Sequence, residues 1–109
     1  MFAHKLSLAF TRLARQDFDD ILLYSLRTWG CDQAIRYEGQ LDRSILQIRE
    51  HPDIGKPCPE VMPACRQQQS GHHVIYYTYT VSDGVVTIHR ILHERRRVTS
   101  AMMQPESDE

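Results

Sequence analysis

Two helical repeats of apolar residues follow one another with almost no chain between them, and that spacing limits the fold more than any other feature. In the first, Ala14, Phe18, Ile21, Leu22, Ser25, Leu26 and Trp29 recur at three- and four-residue steps, a mostly apolar stripe along one helix face. Arg15, Asp17, Asp19, Asp20 and Arg27 take the remaining faces. Thr11 stands where an N-cap belongs, its hydroxyl able to accept from a free amide of the first turn. Gly30 closes the helix, as glycine does after a last turn. The second repeat runs through Ala34, Tyr37, Leu41, Ile45 and Ile48, with Asp32 as the expected cap. Pro52 stops it, since an interior proline costs about 3 kcal/mol. Only residues around Gly30 and Cys31 lie between the repeats, so the helices must fold back antiparallel. Trp29, last in the first stripe, is expected between this hairpin and the rest of the core.

The flanking sequence reads as strands. Leu6, Leu8 and Phe10 alternate with Lys5, Ser7 and Ala9, the period of a strand with one buried face. Between His51 and Cys65 the prolines 52, 57, 59 and 63 and Gly55 leave little room for regular structure. Arg66 to Gln69 is a short strand candidate ended by Ser70 and Gly71, and His72 to Val81 is a strong one. Asp83 and Gly84 mark a tight hairpin. Val85 to Leu92 then returns with Val86, Ile88 and Leu92 on one face and Val85, Thr87, His89 and Ile91 on the other. The expected fold is therefore α+β: an N-terminal strand, an antiparallel two-helix hairpin and a three-stranded antiparallel β-meander, in the order β-α-α-β-β-β. Residues 1–97 form one domain around one core, which is what 109 residues can support. Residues 98–109 read as a loose acidic tail.

Composition excludes several classes. No apolar run approaches the roughly 20 residues of a membrane-spanning helix, and His4 and Lys5 interrupt what could have been a signal peptide. A cytoplasmic protein is expected. The three cysteines, Cys31, Cys58 and Cys65, fit neither a disulfide framework nor a zinc knuckle and read as reduced thiols. No ligand pair has metal spacing, and neither metal nor cofactor is expected. The formal charge of −1 hides a local basic end, where Arg90, Arg95, Arg96 and Arg97 outweigh Glu94. That is too local for general nucleic-acid binding, and no direct sequence-specific nucleic-acid binding is expected.

Several stretches together resemble one family. They are Asp17-Phe18-Asp19-Asp20-Ile21, Trp29-Gly30, then Gln33, Ala34, Tyr37, Leu41 and Ile45, His51-Pro52-Asp53-Ile54-Gly55-Lys56-Pro57, Gly71-His72-His73-Val74-Ile75-Tyr76-Tyr77, and Arg90-Ile91-Leu92-His93. In register over residues 5 to 97, they resemble the ParE branch of the RelE/ParE toxin superfamily. The resemblance implies the toxin of a type II toxin-antitoxin pair that inhibits DNA gyrase by binding it and stalls its cleaved complex with DNA. It also implies a ParD-like antitoxin whose C-terminal segment wraps the toxin, giving a hetero-oligomer. Gln67, Gln68, Gln69 and the doubled histidine depart from the family's less polar or more basic residues at that strand.

Two sets of candidate residues follow. A target surface is expected at Arg66, Arg90, His93, Arg95, Arg96 and Arg97, because arginine suits desolvated interfaces. An antitoxin surface is expected at Leu13, Leu22, Leu23, Tyr24 and Leu26, which surround the first helix more widely than one buried stripe explains. The sister RelE branch cuts messenger RNA on the ribosome, which calls for cations on the phosphate and a proton-transfer group. Lys56 and Arg66, with His72 and His73, are the residues available for that work. The basic cluster and C-terminal tyrosine of RelE-type nucleases are missing, and no tyrosine follows Tyr79. The reading is therefore of a non-catalytic toxin. Its alternatives are a RelE-like ribonuclease and a relic that binds only its antitoxin.

Overall fold

A computed structural model describes residues 6–104. Lys5 and the acidic residues Glu106, Asp108 and Glu109 lie outside that range. The elements are β1 (Ser7–Phe10), α1 (Arg12–Trp29), α2 (Cys31–Glu50), β2 (Lys56–Pro57), β3 (Arg66–Ser70), β4 (His73–Thr80), β5 (Val85–His93) and a 3-10 turn (Ser100–Met103). The α+β class and the helix hairpin are as expected. The sheet has five strands in the order β1-β5-β4-β3-β2. The expected meander is its β3-β4-β5 portion. Beyond it, β2 adds two residues to one edge, and β1 pairs parallel to β5 at the other, from Ser7 opposite Val85 to Phe10 opposite Ile88.

Gly30 alone joins the helices. Its φ of 95° is closed to residues with a Cβ. Its N–H donates to Leu26 O at 3.1 Å, and its carbonyl accepts from Ala34 N at 3.1 Å, so one residue ends α1 and begins α2. Asp32 lies inside the first turn of α2 rather than at its cap. Thr11 does cap α1: its Oγ1 accepts from Ala14 N at 3.0 Å and donates to His89 O at 2.9 Å, fastening the helix start to β5.

That contact falls on an irregularity that shifts the strand's phase. Tyr76 stands opposite Arg90 and Tyr77 opposite Ile88, which leaves His89 unpaired in a β-bulge. An extra residue inverts the alternation beyond it. Ile91 therefore joins Val86 and Ile88 under the helices, and Leu92 points to the opposite side. This corrects the face assignment made from strict period two. In the turn before β5 only Gly84 has positive φ, at 68°, so the Asp83-Gly84 connection is a four-residue turn closed by glycine rather than a two-residue one.

Both faces of the sheet are covered. Ala14, Ile21, Leu41, Ile45 and Ile48 of the helices bury Ile75, Tyr77, Val86, Ile88 and Ile91. On the far face, Cys58, Val61 and Cys65 from the loop before β3, with Met103, cover Tyr76 and Leu92. The single core expected for this length is thus two apolar clusters sharing one sheet. Val98, Met102 and Met103, which read as tail, pack in the second cluster. Among the described residues no helix is long and apolar enough to cross a membrane.

Candidate functional site

The polar end of the core opens to solvent between the helix junction and the ends of β4 and β5. Tyr37, in phase with the buried face of α2, carries a hydroxyl that the apolar core cannot satisfy. It meets three groups of the β3-β4 turn. His72 N–H donates to it at 3.0 Å, and His73 Nδ1 lies 2.6 Å away, closer than Ser70 O at 3.3 Å. The hydroxyl donates to Ser70 O and shares a hydrogen bond with His73 Nδ1, so one phenol ties α2 to both strands of the turn. Burial, then the neighbouring His93 and His72, push His73 down to about 4, so the ring is neutral near pH 7. Burial raises Tyr37 above the usual tyrosine value. The His73 ring stands edge-on to Tyr37 at 5.5 Å and to His93 at 5.4 Å between centroids. Arg95 N–H donates to His93 Nδ1 at 3.1 Å.

Around this base lies a cleft of about 940 Å³, lined by Tyr24, Trp29, Gln33 and Arg36 on the helix side and by His72, His93, Glu94 and Arg95 on the sheet side. Trp29 is 66% exposed and Tyr24 65%, so the expected burial of Trp29 between the helices and the sheet does not occur. The indole belongs to the cleft wall. Glu94 accepts from Gln69 Nε2 at 2.6 Å and lies 3.3 Å from His72 Nδ1, and the His72 contact holds its carboxyl below the ordinary value. Asp32 sits in the first turn of α2, where the helix dipole favours an anion. Arg36 Nη2 donates to Gln33 on its own helix, at 3.2 Å. The cleft thus offers aromatic surface with Arg36 and Arg95 at its rim.

The two expected residue sets are only partly gathered here. His93 and Arg95 line the cleft, and Arg96 and Arg97 are exposed on the chain that follows. Arg90 is committed elsewhere. Its guanidinium donates to Asp17 at 2.7 and 2.9 Å and to Met102 O at 2.6 Å, and it is 13% exposed. Arg66 donates to Gly55 O at 2.7 Å and Asp53 O at 3.2 Å and stacks over Tyr79. Of the antitoxin set, Tyr24 lines the cleft. At 100° per residue, Leu22 and Leu26 fall on the other flank of the buried stripe from Leu13 and Tyr24, and Leu23 points directly away from it. The five do not make one patch.

The candidate nuclease residues are separated as well. Lys56 lies opposite Gln67 and Arg66 opposite Tyr77, whereas Ser70 is opposite His73. Four residues of strand, about 13 Å, thus separate Arg66 from the histidine end. Among the described residues no three His, Cys, Asp or Glu side chains converge as a metal site. Tyr37 and the cleft were missed from the sequence. The available signal was a tyrosine in the core phase of α2, whose hydroxyl needed a partner.

A helix hairpin laid on a mostly antiparallel sheet, with an aromatic cleft at one end, defines a small α+β domain of the RelE/ParE toxin type. Residues 8–98 match the family described as the ParE toxin of the type II toxin-antitoxin system parDE, and the chain belongs to that family. It is 39% identical to Toxin ParE1 of Caulobacter vibrioides over 77% of this chain and 84% of that one. It is 29% identical to Toxin ParE of Escherichia coli over 78% of this chain and 82% of the other. Among solved structures, the chromosomal ParDE system from P. aeruginosa matches with a TM-score of 0.70 at 19% identity, over 84% of this chain and 98% of that one. The isolated E. coli RelE toxin matches with a TM-score of 0.59 at 18% identity, over 84% and 87%. Both likenesses are of fold.

Proposed function

We propose that this toxin acts by binding DNA gyrase, without catalysis of its own, and that a ParD-like antitoxin neutralises it by filling the cleft between Trp29 and Arg95. The observation that carries this reading is the meeting in one cleft of Tyr24, from the expected antitoxin surface, with His93 and Arg95, from the expected target surface. An antitoxin segment seated there covers the residues that the target needs. Tryptophan, tyrosine and arginine dominate binding hot spots, and Tyr24, Trp29, Arg36 and Arg95 supply all three. The related P. aeruginosa structure is of a ParDE system, which supports an antitoxin partner. Separation of Lys56 and Arg66 from His72 and His73 argues against a phosphate-cleaving site.

The test is a supercoiling assay with purified gyrase, ATP and relaxed plasmid, run beside ribosome-dependent messenger RNA cleavage. The reading requires supercoiling to stop and linear DNA to accumulate while the RNA stays whole, and Arg95→Ala to weaken inhibition by about tenfold or more. Intact supercoiling with cut RNA would replace it by the RelE-type reading.

A further inference from the structure

The second apolar cluster holds a feature that the toxin reading leaves unused. Lys56 is opposite Gln67 and Pro57 opposite Arg66. The same register continued by one step puts Cys58 opposite Cys65, and Cys58 N–H does donate to Cys65 O at 2.8 Å. Directly opposed residues of an antiparallel pair project to the same side, with Cα atoms about 4.5–5.5 Å apart. A disulfide needs about 4.4–6.8 Å. Both thiols are buried in the same cluster, and each perturbs the other side chain to side chain. Met62, Met102 and Met103 pack in that cluster too, so the chain's sulfur is concentrated on this face. Cys31, the remaining cysteine, is exposed at the start of α2.

We propose that Cys58 and Cys65 are a redox-active pair that closes to an intrachain disulfide across the mouth of the 59–64 loop. The oxidant class is a small-molecule disulfide such as oxidised glutathione. Opening of the loop exposes one thiol; its thiolate attacks a glutathione sulfur and expels one glutathione thiolate. The second cysteine's thiolate then attacks the protein sulfur of the mixed disulfide and expels the other. Two protein thiols give up two protons and two electrons, and one glutathione disulfide becomes two thiols.

Burial pushes Cys65 up to about 12 and also raises Cys58, so the closed loop is unreactive and exchange proceeds through its opening. The loop stays shut through Val61 N–H to Cys58 O at 3.0 Å and Cys65 N–H to Met62 O at 3.0 Å, with Ala64 held at a φ of 63° between them. Once formed, the disulfide pins the segment that seals Tyr76, Leu92 and Met103 from water.

The experiment treats the reduced full-length chain with oxidised glutathione at mildly alkaline pH, quenches it by acid and alkylation, and maps it by mass. Both cysteines fall in one tryptic peptide, residues 50–66, and exposed Cys31 is the internal control for exchange. The expected product has Cys31 glutathionylated and peptide 50–66 lighter by two hydrogens, carrying no glutathione, with the change undone by dithiothreitol. In denaturing urea, where the register is lost, mixed disulfides at Cys58 and Cys65 should compete. Glutathione retained on both cysteines of the folded chain would overturn the proposal. So would two free thiols once Cys31 has fully reacted, or equal disulfide yield in native buffer and in urea.

Discussion

Replacing Asp17 with alanine tests the energetics of this fold at their most demanding point. Asp17 on α1 and Arg90 on β5 are 12% and 13% exposed, so both charges are largely out of water. The carboxylate accepts from Arg90 Nε at 2.7 Å, from Arg90 Nη2 at 2.9 Å and from the backbone N–H of Ile91 at 3.0 Å. The remaining guanidinium edge donates to Met102 O, which ties in the 3-10 turn. Asp17→Ala removes three acceptor contacts and leaves a buried cation. Breaking a buried pair costs about 3–5 kcal/mol, and an orphaned backbone N–H is a further part of that range. Arg90→Ala should cost about the same, because it strands the carboxylate. The double mutant should lose clearly less than the sum, with a coupling of about 2 kcal/mol or more. The assay is urea unfolding followed by circular dichroism, with the slope compared to confirm a common unfolded state. A loss below about 1 kcal/mol for Asp17→Ala, or additive losses in the double mutant, would refute the reasoning. It would also return Arg90 to the target surface where the sequence placed it.

Gly55→Ala should destabilise by about 2–3 kcal/mol, because a Cβ there would lie 2.8 Å from Tyr77 Cε1, and Tyr77 is fixed by burial and its hydrogen bond to Pro52 O; a thermal melt unchanged within error would show that the ring can yield. Trp29→Ala should cost under about 1 kcal/mol of stability yet weaken antitoxin binding about tenfold or more, read by calorimetry on the two proteins; a stability loss above about 2 kcal/mol would put the indole back in the core. Stability should fall on acidification. The native chain protonates His73 only near 4, whereas the unfolded chain does so near 6.5. The unfolded state therefore binds more protons across that window, and stability drops from about pH 6.5 towards pH 4. With solvent reaching part of the ring, the loss is about 1–2 kcal/mol. His89, lowered by burial, adds in the same direction. His73→Gln should flatten most of this profile, and an unchanged slope would show that the ring is not the titrating group.

Trp29 and Arg90 show where reading from the sequence stops. Each was placed by pattern: Trp29 because it continued the apolar stripe of α1, Arg90 because it sat among arginines. Helical phase defines a face but not how far along the helix that face is covered: the stripe is buried at Ile21 and Ser25 and exposed at Leu26 and Trp29. Arg90 lies seventy-three positions from its partner, and no local pattern pairs it with Asp17. The cleft residues share that difficulty. Tyr24, Tyr37, His73 and Arg95 belong to different elements, and only docking of the hairpin on the sheet brings them together.

Local chemistry determined the elements. The 3.6-residue and two-residue periods, Thr11 as a cap, Gly30 at positive φ, Pro52 as a stop and Gly84 in the turn act over a few bonds, so the chain alone specifies two helices back to back and a β-hairpin. Tertiary structure decided the parallel seat of β1, the bulge at His89 that sends Ile91 and Leu92 to opposite faces, and the packing of Met103 over the outer sheet. Each depends on which surfaces meet across many residues. A period of two loses its phase at one inserted residue, and nothing local to β5 marks where the insertion falls.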